Sequence, residues 1–105
     1  RVSQRFYSLL GFCRAAGKVC AGYNTCELAI KGDRARLVVI AEDGAPNTKE
    51  YFFQLAQHRS VPVVVYGTSE GLGRAIGKGK RVVLCILDRH FATSLLRAAG
   101  EEAEC

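Results

Sequence analysis

Three short apolar runs constrain the fold of this chain most strongly. They cover residues 37–41, 60–66 and 80–87, and they are rich in valine, isoleucine and leucine. Consecutive apolar positions over this length are typical of strands that are covered on both faces. Between the runs, apolar residues recur every three or four positions, which is the period of a helix. Buried strands that alternate with helices predict an α/β fold, a three-layer α-β-α sandwich.

The remaining pattern predicts five helices and four strands. The first helix is expected over residues 3–16 and a brief strand over residues 18–21. The second helix is expected over residues 23–31, the third from a cap at Asn47 or Thr48, and the fourth over residues 69–76. The last helix is expected from a cap at Asp88 to about residue 100. At 105 residues, the chain is long enough for one domain over residues 1–100, followed by an acidic tail at residues 101–105.

Composition favours a polyanionic partner without requiring one. The formal net charge is +5, although three of the acidic residues lie in the tail. A basic body binds nucleic acid through release of counterions, and ordinary solubility accounts equally well for the same charge. No apolar run approaches the roughly 20 residues that span a bilayer. No signal peptide is recognised, so neither a membrane segment nor export is predicted.

The cysteines do not follow the spacing of a zinc site or a disulfide framework. There are five, an odd number, and no two have C-x-x-C spacing. Cys13, Cys26 and Cys85 lie in apolar patterns and are expected to be small core residues, whereas Cys20 is expected to be partly exposed. With Cys105 in the tail, this cysteine usage fits a reducing cytoplasm, and no metal is predicted.

A glycine-rich strip over residues 71–80 invites a nucleotide-binding interpretation, which the spacing excludes. The dinucleotide fingerprint G-x-G-x-x-G needs glycine where Ile76 stands. A phosphate-binding P-loop needs glycine five residues before a Gly-Lys pair, and Leu72 and Arg74 occupy those positions. The strip is therefore expected to form a turn, a helix and a helix stop, and no cofactor is predicted.

Few residues suit catalysis. Glu42 and Asp43 follow a predicted strand, where they could act in acid–base chemistry, or Asp43 could cap the loop that follows. His58 is expected at a helix end, and His90 at a helix start. A Cys85–His90 pair is conceivable, but a thiol in the centre of an apolar strand is inert. We therefore predict that the protein is not an enzyme.

Two segments each form a loop that opens a helix, Gly22-Tyr23-Asn24-Thr25 and the stretch from Tyr66 to Arg74. A helix start offers free backbone N–H groups to an anion. Basic residues accompany both loops, and they would form one rim if the two helices start side by side. These residues are Lys18, Lys31, Arg74, Lys78, Lys80 and Arg81. Asn24, Thr25 and Ser69 could then bond sugar or base edges, so the pattern favours RNA binding.

Seven short pieces carry a family resemblance over residues 6–96. The chain resembles the kink-turn RNA-binding superfamily of large-subunit ribosomal proteins, and within it the small bacterial YlxQ-like branch. The pieces are Leu9-Leu10-Gly11, Ala15-Ala16-Gly17-Lys18, Gly22-Tyr23-Asn24, Ala35-Arg36-Leu37-Val38, Ile40-Ala41-Glu42-Asp43, Asn47-Thr48 and Leu72-Gly73-Arg74-Ala75-Ile76-Gly77-Lys78. The resemblance implies a mixed four-stranded sheet, binding of structured RNA such as ribosomal RNA, and no catalysis.

The resemblance also implies which residues contact RNA. Gly22 and Asn24 match the strong kink-turn binders, while Thr25 stands where a Glu or Gln is expected and Leu28 stands where a phosphate-binding Lys is expected. The candidates are Lys18, Gly22, Tyr23, Asn24, Thr25, Leu28, Lys31, Tyr66, Gly67, Thr68, Ser69, Glu70, Gly71, Arg74 and Lys78. Because Leu28 cannot bind phosphate, an alternative is a protein–protein adaptor that uses the same surface through Leu28.

Overall fold

The computed structural model describes the backbone of residues 4–104 and the side chains of residues 4–100. Within that range the elements alternate as predicted. They are α1 (Gln4–Ala15), β1 (Val19–Ala21), α2 (Tyr23–Lys31), β2 (Leu37–Ile40), α3 (Pro46–His58), β3 (Val63–Val65), α4 (Ser69–Ala75), β4 (Val83–Ile86) and α5 (Arg89–Glu104). Predictions for Ser3, for Cys105 and for the side chains of the acidic tail lie outside the described residues. Along the described chain, no helix combines the length and apolar character needed to cross a membrane.

The four strands form one mixed sheet in the order β1-β4-β2-β3. The strand β4 is antiparallel to both of its neighbours, with Cys20 opposite Cys85 and Val39 opposite Leu84. The strands β2 and β3 are parallel, as the intervening helix α3 requires. The predicted α/β class and four-stranded mixed sheet are therefore confirmed.

Two apolar clusters cover the two faces of the sheet. On one face, α1, α4 and α5 pack around Phe6, Leu72 and Leu95 against Leu37 and Leu84. On the other face, α2 and α3 pack Ile30 and Phe52 against Val38, Ile40 and Val83. All residues of the two central strands, β2 and β4, are buried. This double coverage is the reason that both strands read as continuous apolar runs rather than as alternating patterns.

Local signals set several of the helix ends as expected. Phe6, Leu10 and Cys13 are the buried stripe of α1, and Gly17 adopts a positive φ of 71° just after that helix. At the start of α5, the Asp88 carboxylate accepts a hydrogen bond from the backbone N–H of Phe91 at 2.9 Å. The predicted cap at Asp88 is therefore confirmed.

The predicted cap of α3 is wrong. The helix starts earlier, at Pro46, with Ala45 in the N-cap position and no side-chain cap, so neither Asn47 nor Thr48 caps it. Proline has no N–H to leave unsatisfied and its fixed φ suits the first helical position, so it can begin a helix without a polar cap.

Three other elements have a boundary that differs from the sequence prediction by more than one residue. The strand β3 begins at Val63, after Pro62, which lacks the N–H needed for a strand ladder. The strand β4 is restricted to Val83–Ile86, shorter than the apolar run. The helix α5 continues to Glu104, past its predicted end near Gly100. One glycine does not stop a helix when the residues that follow it are good helix formers such as glutamate and alanine.

Candidate nucleic-acid interface

Four loops meet at one end of the sheet, because β1, β2 and β3 end there and β4 begins there. We call this the loop end, and it comprises residues 21–22, 41–44, 66–69 and 79–82. Backbone hydrogen bonds join the loops in pairs. They run from Gly22 N to Val83 O at 3.1 Å, from Ala41 N to Val82 O at 2.8 Å, from Glu42 N to Gly67 O at 2.8 Å, and from Arg81 N to Ser69 O at 3.0 Å. The two candidate RNA loops therefore belong to one connected surface.

The first candidate loop is the uncapped start of α2. Gly22 is its N-cap, with φ 98° and ψ 159°, and no side chain caps the helix. A residue with a side chain would be strained at this φ, so the turn requires glycine. The first backbone bond onto the turn runs from Cys26 N to Gly22 O at 3.0 Å. The N–H groups of residues 23–25 precede it, on a turn whose side chains are exposed.

Aromatic packing fixes this turn to α3. The ring of Tyr23 stacks on Tyr51 with a centroid separation of 5.6 Å and meets the edge of Phe52 at 5.0 Å. The hydroxyl of Tyr51 donates a hydrogen bond to Glu27 of α2. This bond to a carboxylate raises the pKa of Tyr51 to about 12, with burial adding to the effect. Tyr23 therefore anchors the start of α2 to α3, although the residue remains 46% exposed.

The outer face of α2 presents Asn24 and, one turn later, Leu28. Leu28 is 66% exposed, whereas Cys26, Ala29 and Ile30 are buried, as the spacing predicts. Lys31 lies at the far end of α2 and forms an ion pair with Glu27 at 3.6 Å. The outer face therefore carries a polar amide and an apolar side chain, and its lysine is away from the loop end.

The start of α4 differs, because its N–H groups are bonded within the protein. The Thr68 hydroxyl accepts a bond from Gly71 N at 3.0 Å. The Asp43 carboxylate accepts bonds from Ser69 N at 2.8 Å and from the Ser69 hydroxyl at 3.1 Å. Of the two predicted helix starts, α2 leaves its first turn uncapped, and the expectation of free N–H groups is wrong for Ser69 and Gly71 of α4.

Asp43 caps the start of α4, 26 residues further along the chain, rather than the loop that directly follows it as expected. The N–H and hydroxyl of Ser69 stabilise its charged form and hold its pKa below the usual value, with Lys80 adding a smaller effect. Asp43 is therefore a capping carboxylate that joins the loop after β2 to α4. Cys85 is buried beneath α2 and α3, whereas α5 packs on the opposite face, so the Cys85–His90 pair is not formed.

Three residues of the second candidate loop are buried and fix its conformation. Tyr66 is 8% exposed, and its ring lies 4.3 Å from the ring of Phe6, measured between centroids. Gly67 is buried at φ 77°, and a Cβ there would lie 2.9 Å from the Tyr7 hydroxyl. Ser69 is 7% exposed. Tyr66, Gly67 and Ser69 therefore set the loop's conformation, and the side chains of Thr68 and Glu70 are the exposed ones.

The predicted basic rim is formed only in part. Arg81 lies at the loop end, where its backbone N–H bonds to Ser69 O, and the side chain of Lys80 is exposed beside it. Arg74 forms an exposed ion pair with Glu70 at 3.1 Å. Lys78 follows α4, and its N–H donates to Gly73 O at 2.8 Å.

The structure does not bring Lys18 to this surface. Its carbonyl accepts a bond from Leu87 N at 2.7 Å, which places it at the opposite end of β1 from Gly22.

The starts of α2 and α4 flank the loop end on opposite faces of the sheet, so they are not neighbouring helices.

Three cysteines that the sequence spacing did not connect lie together beneath the start of α2. The Sγ atoms of Cys20, Cys26 and Cys85 are all within 4.8 Å of one another. Five residues lie between Cys20 and Cys26, and Cys85 comes from the distant strand β4. Strand pairing and the packing of α2 on the sheet bring the three together. Of the three, Cys20 and Cys85 pair directly across β1 and β4, so a predicted sheet topology would have connected those two, whereas Cys26 joins them from α2.

Two curated proteins that are similar to this chain carry the name RNA-binding protein. The RNA-binding protein YlxQ of Bacillus subtilis (strain 168) is 34% identical over 91 residues, which cover 87% of this chain and 91% of that protein. The RNA-binding protein YlxQ of Enterococcus faecium is 28% identical over 89 residues, which cover 85% of each chain.

Solved structures match the fold. A protein of unknown function from Bacillus halodurans has a TM-score of 0.89 and 30% identity, covering 93% of this chain and 99% of that one. The 15.5 kD RNA-binding protein of Giardia lamblia has a TM-score of 0.78 at 21% identity, covering 92% of this chain and 83% of that one, and this match concerns the fold alone. The sequence profile of one family matches residues 4–96, almost the whole described chain. The chain therefore belongs to the ribosomal protein L7Ae/L30e/S12e/Gadd45 family.

Proposed function

We propose that this protein is a cytoplasmic, non-enzymatic RNA-binding protein that recognises structured RNA at the loop end of its sheet. The observation that carries the proposal is the exposed, uncapped first turn of α2, which is held rigidly beside the other loops. Membership of a ribosomal-protein family and relatives named RNA-binding proteins support it. Ribosomal RNA is the class of RNA that the resemblance implies.

The turn combines two kinds of group that RNA recognition uses. Backbone N–H groups at residues 23–25 suit a phosphate oxygen, and the positive end of the helix dipole favours an anion there. The Asn24 amide can donate and accept at a base edge, and the Thr25 hydroxyl can do so at a base or a ribose. Contacts of the first kind hold the RNA in place, and contacts of the second kind give specificity.

Basic side chains add a contribution that depends on salt. Lys80 and Lys78 are exposed, and Arg74 is exposed although it is paired with Glu70. Each phosphate contact by such a cation releases counterions, so binding weakens as salt concentration rises. Because Lys18 lies at the opposite end of β1, the proposed RNA contacts exclude it.

The proposal also specifies the shape of the RNA, which is a kink-turn. Residues Gly22 and Asn24 retain the start of the family motif, and we propose that they bind a kink-turn. Leu28 is 66% exposed at the position where a lysine is expected, so the RNA gains no phosphate contact there. We expect the affinity for a kink-turn to be lower than that of a relative with the lysine.

The test is a titration with a kink-turn RNA and a straight duplex of equal length, each at low and moderate salt. The parent protein should prefer the kink-turn at both salt concentrations. The change Asn24→Ala should weaken that binding by about 10-fold, as expected for loss of a bidentate base contact, with an unchanged melting temperature. Lys18→Ala is the matched control and should bind as the parent does. Equal binding by the Asn24→Ala variant would reject this surface.

Leu28→Lys tests the lost phosphate contact directly. Because Leu28 is largely exposed, the change should leave stability unaltered while it adds one cation to the outer face of α2. Kink-turn affinity at low salt should rise, and the slope of log affinity against log salt should steepen by about one unit. An unchanged slope would show that RNA does not pass over this face.

Leu28 also favours a second candidate function, a protein–protein adaptor on the same surface. An exposed apolar side chain on a functional helix face suits a protein contact more than a phosphate. Under this alternative, pull-down from RNase-treated lysate recovers a discrete protein partner, and the change Leu28→Asp abolishes the recovery. Recovery that disappears with RNase would contradict it.

A further inference from the structure

The cluster of Cys20, Cys26 and Cys85 has the arrangement of a metal site. Cys20 and Cys85 face each other across β1 and β4, and Cys26 projects onto them from the start of α2. Their three sulfur atoms lie within 4.8 Å of one another. All three ligand candidates lie on helix or strand rather than on a loop, so their positions are fixed by the core packing.

The three cysteines are buried to different extents, and the partly exposed one opens the cluster to solvent. Cys26 and Cys85 are fully buried, whereas Cys20 is partly exposed. The Cys26 thiol makes long bonds to the backbone carbonyls of Cys20 at 3.7 Å and Val83 at 3.5 Å, and the Cys85 thiol makes one to Cys26 O at 3.8 Å. A ligand can therefore reach the sulfur atoms from the Cys20 side without displacing a strong hydrogen bond.

The remaining described cysteine, Cys13, lies apart from the three. It belongs to the apolar cluster on the opposite face of the sheet. Within the described residues, the group therefore consists of Cys20, Cys26 and Cys85 alone. Thiolate is the form of cysteine that ligates metals, so binding requires these thiols to lose their protons.

The number and kind of ligands select the metal. Thiolates bound at about 2.3 Å in a trigonal arrangement lie about 4 Å apart, and the three sulfur atoms of this cluster already lie within 4.8 Å of one another. Thiolate sulfur is a soft ligand and selects soft cations such as Cu(I). Within the described part of the chain, no fourth histidine, cysteine or carboxylate joins the group, so the tetrahedral protein site that structural zinc prefers is not provided.

We propose that Cys20, Cys26 and Cys85 bind one Cu(I) ion in a three-sulfur site beneath the start of α2. Each cysteine that ligates as thiolate releases one proton to solvent, and the copper keeps its oxidation state. The proposal is independent of RNA binding, since it rests on a cluster that the RNA surface does not use.

The test uses the Cys13→Ser/Cys105→Ser variant, which keeps only the three cluster cysteines. Under anaerobic conditions it is titrated with Cu(I) in competition with a chromophoric Cu(I) chelator. We expect one equivalent to bind, with an ultraviolet thiolate-to-copper charge-transfer band and three sulfur neighbours in X-ray absorption. Binding of no copper, or of several equivalents, would overturn the proposal.

Adding Cys20→Ser provides the decisive comparison, because this partly exposed position tolerates the change better than the buried ones. Affinity for Cu(I) should fall at least 10-fold, while circular dichroism and the melting temperature in the absence of metal stay near those of the parent. Unchanged affinity, or a preference for Zn(II) over Cu(I) in the same competition, would refute the assignment.

Discussion

Gly73 marks the closest approach of two segments near the candidate interface, and replacing it with alanine gives a quantitative prediction. The residue is buried in α4, and the turn over residues 77–80 passes directly over it. A Cβ at position 73 would lie 2.7 Å from the carbonyl carbon of Gly79 and 3.2 Å from Lys78 O, and closer still to Gly79 O. These neighbours are backbone atoms, so relief requires the whole turn to move.

The magnitude follows from two opposing effects. Overpacking of this kind costs about 3 kcal/mol of unfolding free energy, at the upper end of its usual range, because the backbone must yield. Replacing glycine with alanine inside a helix returns about 1 kcal/mol. The net loss is about 2 kcal/mol, which for a domain of this size lowers the melting temperature by roughly 10 °C.

Gly11→Ala is the matched control. Gly11 lies inside α1, and its added Cβ would meet only Ala75 O, at an ordinary contact distance of 3.6 Å. This variant should keep the helix gain and melt slightly above the parent in a thermal scan followed by circular dichroism. If Gly73→Ala melts at the same temperature as Gly11→Ala, the close approach of residues 77–80 to α4 is not a structural constraint.

Two further predictions concern the loop end. Asp43→Asn should lower the free energy of unfolding at neutral pH. The difference in free energy from the parent should disappear as pH falls through the lowered pKa of Asp43, because the stabilising charge is present above that pKa and lost below it. Denaturant titrations of the parent and of Asp43→Asn across acidic pH measure this difference, and a difference that stays constant with pH would contradict the role of the charge. Tyr23→Phe should leave the free energy of unfolding within about 0.5 kcal/mol of the parent. Tyr23→Ala should lower it by about 1–2 kcal/mol, because the packing on Tyr51 is lost. Equal melting temperatures of the Phe and Ala variants would contradict the anchoring role of the ring.

Local patterns were sufficient to predict most of the fold. The apolar runs of β2 and β4, the stripe of α1 and the Asp88 cap depend on residues close in sequence, and the structure confirms them. The errors lie at boundaries, where two local signals compete. Pro46 starts α3 ahead of the polar residues Asn47 and Thr48, and the helix formers after Gly100 carry α5 onward.

The candidate site was predictable only where it is local. The exposed, uncapped turn at Gly22 and the exposed position of Leu28 follow from spacing within one helix. The closure of α4 does not, because Asp43 and Ser69 are 26 residues apart and meet only through the parallel strands β2 and β3. Closeness to Gly22 in sequence predicts that Lys18 belongs with the RNA-binding residues, but the three-residue strand β1 separates the two and places Lys18 at the other end of the sheet.

The hydrogen bonds within the protein at the start of α4 bear on which molecule would adjust in the proposed complex with RNA. The loop after β3 is held by Asp43, by the Thr68 cap and by the packing of Tyr66 on Phe6 before any partner arrives. A loop already fixed in this way loses little conformational entropy on association. If RNA docks there as proposed, it meets a loop that is already ordered, so the bending and ordering required for a fit would fall on the RNA. The energy needed to deform each RNA would then discriminate between them, and we expect flexible or already bent sequences to be selected over stiff duplexes.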